Sequence, residues 1–164
     1  MAQPGKKKPP RSRTPESPAF REFMSSQWAE HPEIPVQRAE VADFAQRRRD
    51  QLSASLPDSL QGKILVIPAG PAMRRSNDTD YPYRPHSAFT HLTGWGSATV
   101  PSSVLVADQR ETPARWVIYA RGPAGRDTDE FYANPAIGEF WTGPRPDLGD
   151  VSARLGIDTR PLED

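Results

Sequence analysis

The chain has 164 residues, enough for one domain with a core of its own. Only 35% of residues are hydrophobic and 19 are proline, and mean hydropathy is −0.72, so a globular region is diluted by polar sequence that does not fold. Zero net charge, no cysteine and no long apolar run argue against a global field for nucleic acid or membrane, disulfides, thiolate metal sites and a bilayer span.

Residues 1–19 are basic and Pro-rich, nearly without large apolar groups. They are expected to be a disordered tail, since they bury too little to offset the entropy of ordering. Within residues 1–21, six basic side chains stand against Glu16 alone, which leaves the rest of the chain net acidic. No apolar run follows these cations, so no secretory signal is expected, and the lack of cysteine suits a reducing cytoplasm.

Residues 20–35 form a lead-in whose Phe20, Phe23 and Trp28 predict a short helix or turn against the domain. A helix is predicted over 36–56. Pro35 sits before its first turn, Val41, Phe44, Ala45, Leu52 and Leu56 lie near helical spacing, and Pro57 ends it. The run Arg47, Arg48, Arg49 reads as a solvated face of that helix. Residues 63–70 hold four consecutive apolar side chains, as in a strand covered on both faces. Residues 87–95 are a further strand candidate, closed by Gly94. The stretches 102–108 and 115–121 read as antiparallel neighbours joined by a hairpin-length linker.

In the last third, Asp127 with Glu130 resembles a capping box opening a short helix that Pro135 stops. Asp147 is placed to cap a second helix through Leu148, Val151 and Leu155, with Gly156 as its stop. Residues 156–161 then lead into a last strand. The sum is a single α/β domain, residues 36–164, with a mixed β-sheet flanked by helices.

No catalytic constellation is legible. His31, His86 and His91 do not form a zinc motif, and two histidines five apart on a strand would face opposite ways. No nucleophile elbow or phosphate loop occurs. The strands offer no carboxylate cluster of the kind a two-metal nuclease needs. Asp78 and Asp80 sit in a polar turn, where turn formation is their ordinary role.

The middle of the chain is more specific. Residues 74–95 place Arg75, Ser76 and Asp78 ahead of Tyr81-Pro82-Tyr83-Arg84, then Phe89 and Thr93-Gly94-Trp95. Val104-Leu105-Val106 follows as a strand, then Glu139, Trp141, Gly143 and Arg145 as an "E-x-W-x-G-x-R" element. In this order the motifs resemble the N-terminal domain of the aminopeptidase P family, from about residue 36 onward. That resemblance implies a ribonuclease H-like topology and a non-catalytic domain that binds no cofactor or metal itself. It implies a parent Xaa-Pro aminopeptidase, a metallopeptidase with two divalent ions, often manganese, in a downstream "pita-bread" domain. The implied partners are that domain, neighbouring subunits of a homodimer or homotetramer, and proline-containing peptides. No membrane or specific nucleic acid is among them. By motif position, Trp141 resembles a residue lining the peptide pocket of a neighbouring subunit, and Asp78 a carboxylate reaching the same region. Arg75, Tyr81, Tyr83 and Arg84 are expected to hold the turn against the sheet. The alternative is a free-standing binding module of the same fold with no peptidase partner.

Overall fold

A computed structural model describes residues 17–31, 33, 35–77 and 79–163. Most of the expected tail lies outside that range, but its last residues do not. Helix α1, Pro18–Ser25, begins inside it: the Ser17 hydroxyl accepts from the Phe20 N–H and Pro18 takes the first turn, where it lacks only a hydrogen that would have no partner.

Helix α2 runs Val41–Ser55, five residues short of its expected start. The cause is tertiary. The Ala39 N–H donates to the Arg154 carbonyl, so the chain before α2 runs extended and satisfies an acceptor that a helix end leaves open. The face that α2 buries also differs from the predicted one. Ala42, Ala45 and Arg49 are buried, whereas Val41 and Phe44 are exposed. Arg49 is therefore a core residue and not part of a solvated run.

Strands β1 (Ile64–Pro68), β4 (Val104–Asp108), β5 (Arg115–Ala120) and β6 (Asp158–Pro161) form the sheet in that spatial order. The ribbon of β2 (Arg74–Ser76) and β3 (Thr79–Asp80) stands apart from it. The expected β4–β5 hairpin is present, antiparallel, with Val106 opposite Val117. β1 pairs antiparallel with β4, while β6 pairs parallel with β5 after a helical crossover. β1 is not covered on both faces. It is an edge strand with alternating burial, and Ile64 and Val66 look outward.

Residues 87–95 are not the expected strand. Ser87–Thr93 is a helix, α3, because its apolar groups follow helical spacing: Phe89 and Leu92 point into the core and Trp95 follows them. The Thr93 hydroxyl returns to the Phe89 carbonyl, and Gly94 closes the helix at φ 74°. His86 precedes α3 and His91 lies in its last turn.

Helices α4 (Glu130–Ala133) and α5 (Glu139–Thr142) are single turns. The expected box at Asp127 is absent; Glu130 instead accepts from Asn134 at 2.9 Å and from Arg121 at 2.6 Å, which together hold its carboxyl below the usual range. Helix α6, Leu148–Leu155, is capped as its sequence predicts. Asp147 accepts from the Asp150 N–H at 2.8 Å, Asp150 reaches back to the Asp147 N–H, and Gly156 stops the helix at φ 63°. Asp147→Ala should cost about 1 kcal/mol and Asp147→Asn almost nothing, a ranking that urea unfolding would check.

The core lies between the sheet and α2, α3 and α6, centred on Phe89, Leu105 and Ile118, all fully buried. Its few buried hydroxyls, on Thr93, Thr99 and Ser103, each donate to a backbone carbonyl.

Candidate functional site

Gly138 lets α5 start hard against α4, and this sets an aromatic platform at the surface. Phe131 of α4 is buried. Phe140 meets it at 6.0 Å between ring centroids, and Trp141 meets Phe140 at 5.1 Å and 82°, both edge to face. The Trp141 indole N–H donates to the Tyr132 carbonyl at 2.8 Å. With its one donor spent inward, the ring is fixed, yet the residue remains 59% exposed. A large aromatic held rigid and left bare is a contact surface prepared at low entropic cost.

The lead-in, expected to pack against the domain, completes the platform; that its partners are the aromatic residues of 131–141 was not foreseen from the sequence. Trp28 packs edge to face on Phe131 at 5.4 Å and on Phe140 at 6.2 Å, and Phe20 packs on Tyr132. Arg126 donates to the Ala29 carbonyl at 2.9 Å, Arg21 pairs with Asp129, and His31 Nε2 lies 2.9 Å from Glu139 Oε1. The density of aromatic residues in both 20–28 and 131–141 was the available signal.

The turn motif lies elsewhere. Arg75 is exposed in β2, and Tyr81 is 56% exposed, its N–H donating to the Met73 carbonyl. Tyr83 is half-buried; its hydroxyl donates to the Gly70 carbonyl at 2.8 Å with the Ala69 carbonyl at 3.1 Å, and burial pushes its pKa up. It thus ties the turn to the end of β1. Gly70 has φ 90°, and a Cβ there would strike the His86 ring. Arg84 is exposed. Asp78 lies outside the described residues. The structure therefore groups Trp141 with Phe140, Trp28, His31 and Glu139, and sets Tyr83 against the sheet.

Among the described residues no three His, Asp or Glu side chains approach closely enough to hold a metal ion. The donor set therefore does not fit the dinuclear centre implied for the parent enzyme. No helix among them is long and apolar enough to cross a membrane.

A family model for the aminopeptidase P N-terminal domain matches residues 44–164. Xaa-Pro aminopeptidase 2 of Streptomyces coelicolor is 35% identical over 139 residues, which is 84% of this chain and 28% of that protein. Xaa-Pro aminopeptidase 1 of Streptomyces lividans is also 35% identical, over 83% of this chain and 26% of its own length. A zinc-substituted Escherichia coli aminopeptidase P in complex with product superposes with a TM-score of 0.58 at 28% identity, covering 80% of this chain and 25% of that one. The mixed sheet flanked by helices is thus the architecture of that domain, and the chain belongs to the aminopeptidase P N-terminal domain family. It spans little more than a quarter of the curated relatives it matches.

Proposed function

We propose that the chain serves as the non-catalytic N-terminal part of a Xaa-Pro aminopeptidase, a metallopeptidase that removes the residue ahead of proline. Residues 36–164 are the folded domain, and the lead-in packs on it through Phe20, Trp28 and His31. Its work is oligomerisation and substrate selection in a cytoplasmic homo-oligomer, while two divalent ions, manganese, act in a downstream catalytic domain. Trp141 faces the peptide pocket of a neighbouring subunit, and Asp78 reaches toward the same region. The observation that supports this reading is the bare, fixed ring of Trp141. An indole face is a broad apolar surface for a proline ring or the side chain before it.

The test uses the full-length enzyme. Trp141→Ala is expected to lower kcat/KM for Xaa-Pro peptides by about 30-fold, the equivalent of about 2 kcal/mol at a contact hot spot. Its thermal midpoint should hardly move, since the ring is mostly in water. Unchanged kinetics would sink the reading, and a loss of folding with no kinetic specificity would return Trp141 to a structural role.

A further inference from the structure

An apolar cleft of about 290 Å³ opens beside α6, and Trp141 is not among the residues that line it. Trp95, Val100, Ile137, Leu148, Val151 and Leu155 form its wall. Arg121, Arg145 and Arg154 also line it, and among the described residues no carboxylate does. Arg121 is already engaged by Glu130 at 2.6 Å and Glu163 at 3.2 Å. Arg145 is half-buried, and among the described residues neither its guanidinium nor that of Arg154 has a hydrogen-bond or ion-pair partner. A cation held partly out of water beside apolar walls lacks its compensating charge. A guanidinium fork matches a carboxylate through two parallel hydrogen bonds.

We propose that this cleft binds the C-terminal end of an apolar peptide. One or two apolar side chains fill the wall around Trp95 and Leu155, and the terminal carboxylate lies on Arg145. Arg145, the half-buried cation, takes the carboxylate, and Arg154, exposed at the rim, is available to the carbonyl that precedes it in a peptide and that a simple alkyl acid lacks. The cavity is at the small end of ligand pockets, which limits the occupant to about two residues. This inference does not rest on the aminopeptidase reading.

The chain would be titrated calorimetrically with acetyl-Leu-Phe, its C-terminal amide, and 4-phenylbutyrate. The free acid peptide is expected to bind at least about ten-fold more tightly than the amide, and Arg145→Met to lose about the same factor. The Trp95 indole resonance should shift at about ten-fold lower concentrations of the acid peptide than of its amide. Equal binding of acid and amide, full affinity in Arg145→Met, or no binding of any probe at millimolar concentration would overturn the proposal. Tighter binding of 4-phenylbutyrate than of the peptide would overturn it in favour of a small carboxylic acid. Should Arg145→Met fail to fold, Arg145→Lys keeps the cation without the guanidinium fork and should retain the preference for acid over amide while binding the acid more weakly; an Arg145→Lys protein that binds acid and amide equally would overturn the proposal.

Discussion

Replacing Arg49 with alanine should destabilise the chain by about 3 kcal/mol, with a fall of about 10 °C in thermal midpoint. Arg49 is 1% exposed and donates to the Leu92 carbonyl at 2.7 Å and to Gln46 Oε1 at 2.6 Å. Leu92 lies in the last turn of α3, whose final carbonyls have no partner within the helix. Arg48 serves the adjacent His91 carbonyl from outside, so α2 closes the end of α3 with two cations. Two effects oppose each other in the variant. Burial lowers the Arg49 pKa, with Asp50 opposing and Arg38 adding to the shift, so removing the cation relieves a desolvation cost. Against that, alanine leaves a buried carbonyl unpaired and a void where the side chain stood. Arg49→Met separates the two, because it fills the space without restoring the hydrogen bond. The expected order of stability is wild type, then Arg49→Met, then Arg49→Ala, by chemical denaturation. A methionine variant at or above the wild type would mean that desolvation outweighs the bond to Leu92.

Local chemistry made some of this fold legible. The β4–β5 hairpin, the α6 cap at Asp147 with its Gly156 stop, and β6 depend on signals within a few residues, and each is where its sequence places it. The misreadings have a common cause, which is that tertiary contacts decided between local options. Phe89, Thr90 and Thr93 suit a strand by residue type, yet Phe89 and Leu92 could reach the core together only on one helical face. β1 has the composition of a covered strand, but the sheet ends at it. Arg49 belongs to a run of three arginines and differs from its neighbours in being buried as it reaches the Leu92 carbonyl. At the candidate site, Trp141 was singled out through its motif alone. Its companions were not, because Arg126 and the backbone at Trp28 and Ala29 are nearly a hundred positions apart in the chain. Burial of Phe131 beneath Trp28 is a property of the folded pair, with no trace in either segment by itself.

Gly138→Ala should cost about 3 kcal/mol, at the top of the range for overpacking, and should disable the Trp141 platform with it. Gly138 has φ −67° and ψ 124°, an ordinary conformation for any residue, so backbone freedom is not why glycine is needed. Space is the reason. A Cβ at this position would press hardest on the Phe131 carbonyl, and would lie 2.6 Å from the Glu130 oxygen and 2.7 Å from that of Asn134. All three are backbone atoms at the end of α4 and cannot swing aside as a side chain would. Relief requires α5 to move off α4. That movement would strain the Gly138 N–H bond to the Asn134 carbonyl and the bond from the Trp141 indole to Tyr132. The indole would then keep its exposure but lose its fixed direction. If the proposed role of Trp141 in a full-length Xaa-Pro aminopeptidase holds, Gly138→Ala should lower kcat/KM for Xaa-Pro peptides much as Trp141→Ala does. The double variant should be little worse than either single one, because both act on the same contact. Additive losses would show that Gly138 supports the enzyme by a route that does not pass through Trp141. Wild-type stability in Gly138→Ala would show that α4 and α5 separate freely, and the ring would then not be held in place by this junction.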